Sequence, residues 1–280
     1  MAGVCRVILS AVALEAGALW DLASDHPDIT RSALHAVDPG SSRSVLRDVG
    51  GVGMGHDQWR DKLRVSRRDP VQLADLLAAE LPLDGLQHAG SAIVGLAPDP
   101  MLEPAAGSLI AALSVRGWAG DAELIDELRD YVAGSTSELV DVAVDLDELA
   151  EALDQVPGSE SYLDLERGVV WPAELIELEQ GPDDFDPDGD TRWVPVVGAG
   201  SRSPYADMAR FIATIEDPTL VDRLTSAIDG KGAFRRFLNE LEQHAGEFTR
   251  WHRFRDDARL GRAREWLVSH GYRATEAARK

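Results

Sequence analysis

Gly230-Lys231-Gly232-Ala233-Phe234-Arg235-Arg236-Phe237, with Trp251, Phe254 and Trp266 after it, is the stretch whose reading decides the fold. It sits in a segment from Ser203 to Tyr272 that divides into four helices. Ser203-Pro204 supplies a hydroxyl cap and a proline where a helix loses no amide, and Tyr205, Met208, Phe211, Ile212 and Ile215 follow at helical spacing. Asp217-Pro218 repeats the signal for Leu220, Val221, Leu224 and Ile228, and Asp229-Gly230 stops it. Phe234, Phe237, Leu238 and Leu241 form a third stripe. Phe248, Trp251, Phe254, Ala258, Ala263, Trp266 and Leu267 form a fourth, longer one ending at Gly271. Aromatic residues on such stripes read as core.

Upstream, the period changes. Ser161 to Trp171 alternates about a bend at Glu166-Arg167-Gly168, the pattern of a hairpin, and Arg192 to Val197 is the candidate for a third, edge strand, where Pro195 costs no ladder bond. Asp145 is placed to cap a short helix carrying Leu149, Ala152 and Leu153. Residues 144–280 are therefore expected to form a small antiparallel sheet packed with about four helices.

The first half lacks strand patterning. Asp69-Pro70 opens a helix through Leu73, Leu76, Leu77 and Leu81, and stretches at 85–96, 101–115 and 122–132 follow, the last with Asp121 as its expected cap. Residues 69–132 read as a compact helical unit within a helical region 1–134, in which 1–68 shows weak periodicity apart from a helix at 7–23. Gly134-Ser135-Thr136-Ser137 opens a join over 135–143. The fold class is α+β, predominantly helical.

The net charge of −21 is not spread evenly. Between Asp121 and Asp190 there are 23 acidic residues against Arg129 and Arg167, which accounts for the whole excess, whereas twelve basic residues outnumber eight acids from Asp229 onward. An acidic middle and a basic end are self-complementary, within the fold or between copies. The overall charge argues against general affinity for nucleic acid or anionic membrane. One cysteine, Cys5, excludes an internal disulfide and a multi-thiolate metal site, in keeping with the cytoplasm. Glu15 interrupts the apolar run at 4–14, so a signal sequence is not expected, and no stretch is long and apolar enough for a membrane span.

The hairpin, the acidic linker at 178–191 and the basic-aromatic helix together resemble an uncharacterised bacterial protein family, UPF0158. The resemblance rests on Tyr162-Leu163-Asp164-Leu165 before Gly168, the Tyr205 to Ile215 helix, the run from Gly230 to Phe237, Trp251 with Phe254, and Glu265-Trp266-Leu267. It covers roughly residues 144–272, and no family is recognised for the first half. It implies no activity.

Three groups of residues are candidates for chemistry. Asp184, Asp186, Asp188, Gly189 and Asp190 resemble the first half of a calcium loop, but position twelve is Pro195 rather than the closing glutamate, so a solvated linker is the plainer reading. Lys231, Arg235 and Arg236 crowd a helix N-terminus, where the dipole is also positive, and Arg255, Arg259 and Arg262 share a face of the last helix. These six are candidates for binding an anion or a partner, set against pairing with the chain's own acids. The glycine-rich run 50–55 lacks the strand and the lysine of a nucleotide loop, and Gly198-Ala199-Gly200-Ser201 lacks a nucleophile elbow. His26, His35, His56, His88, His244, His252 and His270 show no zinc-ligand spacing, and no cofactor is expected. The reading that follows is a non-enzymatic binding or regulatory protein using an Arg-rich helical face. The alternatives are an enzyme acting on a phosphorylated or carboxylated metabolite and a nucleic-acid-associated protein. A protein partner or self-association goes with the first.

Overall fold

Helix starts are written by aspartate-proline pairs. In the computed structural model, which describes residues 56–156, 158–178, 181–198 and 202–275, Asp69 accepts the amides of Val71 and Gln72, and Asp217 accepts that of Thr219. The expectations for Cys5, His26, His35, the 7–23 helix and the 50–55 loop, and in part that for 198–201, lie outside the described residues.

The first helices are α1 (His56–Ser66), α2 (Pro70–Ala79), α3 (Leu86–Val94), α4 (Glu103–Arg116) after a 3-10 turn at Pro100–Leu102, and α5 (Asp121–Ala133). Strand β1 (Val140–Val142) and α6 (Leu146–Leu153) lead into β2 (Glu160–Asp164), β3 (Val169–Pro172), the short α7 (Ala173–Glu177) and β4 (Trp193–Val197). The chain ends through α8 (Arg202–Ile212), α9 (Pro218–Ala227), α10 (Ala233–Leu241), α11 (Ala245–Ser269) and β5 (Tyr272–Ala274). The class is α+β and mostly helical.

The hairpin and edge strand form an antiparallel sheet of order β3-β2-β4, with Leu163 opposite Val170 on one side and Val194 on the other. Gly168 sits at φ 66°, and a Cβ there would fall 1.9 Å from the Ala143 carbonyl oxygen, so the bend needs glycine for both its conformation and its space. Pro195 lies on an edge strand, where it removes no shared bond. A second sheet pairs β1 with β5 in parallel, Val140 opposite Tyr272 and Val142 opposite Ala274. It had no sequence signal, because three-residue strands are too short to alternate visibly.

Helix α11 runs through the unit formed by residues 55–280. Its 25 residues span about 37 Å, and they are buried on several faces rather than along one stripe. Trp251 and Phe254 join Phe211, Phe237 and Leu241 in a core built with α8, α9 and α10. The Phe237 and Trp251 rings stand edge to face at 4.8 Å, and Phe211 meets Trp251 at 5.3 Å. Ala263 and Leu267, one end of the helix, instead pack with Leu149, Leu153, Leu163 and Val196. The sheet is thus backed by α6 and the far end of α11, and the expected four-helix backing is divided between two cores.

The third face of α11 meets α3 and α5. Residues 55–280 form one compact unit. Within it, α11 carries charged side chains whose buried partners lie on both sides of the 135–143 join. Those residues contain β1, which is fastened to the end of the chain.

Candidate functional site

Among the described residues, the charged side chains of α11 are sorted by depth. Deepest is a polar junction with the first helices. Asp257, fully buried, uses Oδ1 to accept the amides of Gln87 at 2.8 Å and His88 at 3.3 Å, so it caps the N-terminus of α3 from a distant part of the chain. Its other oxygen accepts from Arg116, and the His88 ring lies 3.2 Å from Oδ1. Arg116 also donates to Asp121 and to the Leu83 carbonyl. Two turns further along α11, Arg264 donates to Glu127, to Gln87 at 3.0 Å and to Ser91 at 2.7 Å. Burial acts most strongly on Asp257 and would raise its pKa, but the Arg116 charge and His88 outweigh it and hold the carboxyl below its ordinary value. Asp121 is the first residue of α5 rather than its cap. Its carboxylate turns back to accept the Trp118 amide and the Arg116 guanidinium.

Between Asp257 and Arg264, Gly261 lets two backbones meet: a Cβ on it would fall 2.1 Å from the Ala119 carbonyl oxygen. Asp121, Glu127 and Asp257 are all buried in this junction. It is a structural clamp.

The expected Arg-rich face divides into three. Arg236 folds back over the preceding loop and donates to the carbonyls of Ala227, Asp229 and Lys231, closing the C-terminal end of α9. Its charge therefore answers the negative end of one helix, which explains its position at the positive end of the next. Arg255, Arg259 and Arg262 gather around one carboxylate, Asp154, at 3.8, 2.8 and 3.2 Å, and Arg262 also holds Asp207 at 2.9 Å. Lys231 and Arg235 are exposed, with no ionic partner among the described residues. Phe234, between them in the sequence, is 37% exposed, and the Arg255 guanidinium lies over its ring at 5.6 Å.

The calcium-like run is not organised as a loop around an ion. Asp184 binds Arg167 and Arg192, Asp186 accepts the Gly189 amide, Asp190 accepts the Arg192 amide, and Asp188 is exposed. Hydrogen bonds from Arg192 and then Arg167 pull the Asp184 carboxyl down to about 2. Among the described residues no group of three or more His, Cys, Asp or Glu side chains converges as a metal site. Arg192 also joins Asp164, a buried carboxylate that accepts the Glu166 and Arg167 amides and so holds the hairpin bend. Against burial, which would raise it, these bonds leave the Asp164 pKa lowered. The linker is thereby pinned to the sheet, with Phe185 between Tyr162 and Trp193.

A cavity of about 330 Å³ opens beside β2 and α7, lined by Ser159, Glu160, Glu174 and Glu177 among others. It contains none of the six basic candidates. Among the described residues no helix is long and apolar enough to cross a membrane.

Sequence reasoning did not find the Asp257, Arg116, Arg264 and Glu127 clamp. The only available signal was polar residues interrupting the α11 stripe where an apolar residue would be expected.

Comparison with known proteins bears on the second half. The description of an uncharacterised protein family, UPF0158, matches residues 137–276. A UPF0158 protein of Pseudomonas aeruginosa is 28% identical over 130 residues, which cover 45% of this chain and 80% of that protein. No solved structure matches the chain. The match takes in both sheets, the four C-terminal helices and the Asp154 cluster, and it leaves α1 to α5 outside. The chain belongs to the uncharacterised protein family UPF0158.

Proposed function

We propose that the chain is a non-enzymatic binding module that takes an acidic segment of a protein partner on the patch formed by Lys231, Phe234 and Arg235. The supporting observation is that two exposed cations, without ionic partners among the described residues, bracket a half-exposed phenylalanine in a chain whose net charge is −21. In such a chain an exposed basic site is set apart from its surroundings, and charge complementarity selects an acidic occupant. The aromatic ring adds desolvated area at the centre of the charge pair, the composition typical of binding hot spots. A cytoplasmic setting accompanies this reading, from the single cysteine. The enzyme reading needs a concave site beside the cations, and the cavity at Glu160, Glu174 and Glu177 does not supply it.

The test is fluorescence anisotropy with a labelled peptide of alternating glutamate and leucine, a neutral peptide of equal length, and a short DNA duplex. The acidic peptide is expected to bind with salt-sensitive affinity, and the Lys231→Ala/Arg235→Ala double variant to weaken it by about tenfold or more. Phe234→Ala should weaken it as well. Equal affinity for the acidic and neutral peptides, or an unchanged double variant, refutes the proposal. Preferential binding of the duplex would turn the reading toward nucleic acid.

A further inference from the structure

The cluster around Asp154 holds more positive charge than its carboxylates neutralise. Four guanidinium groups, those of Arg210, Arg255, Arg259 and Arg262, meet two carboxylates, Asp154 and Asp207. Arg210 and Arg262 share Asp207, which is almost fully buried, and Arg262 also hydrogen bonds Asp154 at 3.2 Å. The other two are poorly satisfied. Arg255 lies 3.8 Å from Asp154, beyond hydrogen-bond length, and its side chain is 31% exposed. Arg259 Nε comes within 2.8 Å of Asp154 Oδ2, yet among the described residues neither atom has an aligned hydrogen bond.

We infer that Arg255 and Arg259 form an anion site for a phosphoryl group, with Asp154 as the post that holds the guanidinium groups in place. Three arguments meet here. Glu265 acts on Arg262 as a third carboxylate, and the positive charge left over favours an anion beside Arg255 and Arg259. Guanidinium forks suit tetrahedral oxygens better than a single carboxylate can use them. Phe234, beneath Arg255 at 5.6 Å, fixes the orientation of that side chain from the opposite side. This inference extends the reading of the cationic face as a binding surface, since Arg255 borders the patch of Phe234. It uses different residues.

The experiment is a thermal shift and 31P NMR titration of the full chain with inorganic phosphate, against chloride at equal ionic strength, and with a phosphoserine peptide beside its unphosphorylated form. Phosphate should raise the melting temperature with concentration. Arg255→Ala, whose guanidinium makes no hydrogen bond within the described structure, and Arg259→Gln should each remove the response. Asp154→Asn gives the sharpest sign: the amide oxygen keeps an acceptor that places the guanidinium groups while the competing charge is lost, so phosphate should tighten about tenfold. A response to phosphate no greater than to chloride, an unchanged response in both arginine variants, or weaker binding by Asp154→Asn overturns the inference. Much tighter binding of the phosphopeptide than of free phosphate assigns the group to a protein partner, and equal affinity assigns it to a small metabolite. Phosphate binding without acidic-peptide binding upholds this site and refutes the Lys231 and Arg235 patch; the converse upholds the patch and refutes this site.

Discussion

Replacing Asp257 by asparagine removes one buried negative charge from between α3, α4 and α11 while keeping the side chain's shape. The new amide oxygen can still accept the Gln87 and His88 amides, so the cap on α3 survives. What is lost is the partner of Arg116, because the amide nitrogen then faces a guanidinium that also donates. Breaking a buried ion pair by removing one partner costs about 3–5 kcal/mol. Arg116 keeps Asp121, which places the expectation at the low end, about 3 kcal/mol. For a unit of this size such a loss lowers the melting temperature by about 6–12 °C. Urea unfolding followed by tryptophan fluorescence reads it directly, since Trp59 and Trp251 are fully buried in the first-half helices and the C-terminal core. A cycle with Arg116→Met should show coupling of roughly 1–3 kcal/mol, the double variant losing less than the sum. A loss below about 1 kcal/mol, or strict additivity, would refute the view that this pair clamps the two halves.

Gly261→Ala should be more severe than its chemistry suggests, because its methyl would meet a backbone oxygen at 2.1 Å; a loss of about 3 kcal/mol or failure to fold is expected. Gly107→Ala on α4, with nothing within 4 Å, should instead gain about 0.5–1 kcal/mol, and equal effects at the two sites would contradict the packing. Acid sensitivity follows from Asp257, Asp164 and Asp184, whose folded pKa values are all depressed. Between the unfolded value of 3.8 and the folded one, about 2 for Asp184, the unfolded chain binds more protons. Their contribution is therefore complete above the unfolded value and falls away as pH drops toward the folded one. Urea midpoints should rise with pH between about pH 2 and 5 and level off above, and Arg192→Gln should flatten the rise.

The signals that proved legible were local. Asp69, Asp145 and Asp217 cap the helices they precede, since a carboxylate reaches its own next amides whatever the rest of the chain does. The hairpin bend at Glu166-Arg167-Gly168 and the edge placement of Pro195 followed from backbone restrictions of the same short range. The aromatic stripes gave the C-terminal core. The basic candidates could be located but not interpreted, because Arg236 and Arg262 resemble Arg235 in sequence, whereas their acceptors are carbonyls and carboxylates brought in by folding.

By itself, then, the sequence determined the helices, the hairpin, the segregation of charge and the membership of residues 137–276 in their family. Tertiary structure decided how these were joined. Asp257 lies 170 positions from the Gln87 amide it caps, and Arg264 lies 137 from Glu127. No periodicity within one helix records a partner on another. The same holds for Arg255 and Arg259, which local spacing places on one face and which only Asp154, from across the sheet side of α11, gathers into a cluster with charge to spare. Pairing between distant charges depends on which faces the cores turn toward each other, and that is settled only when the whole chain packs.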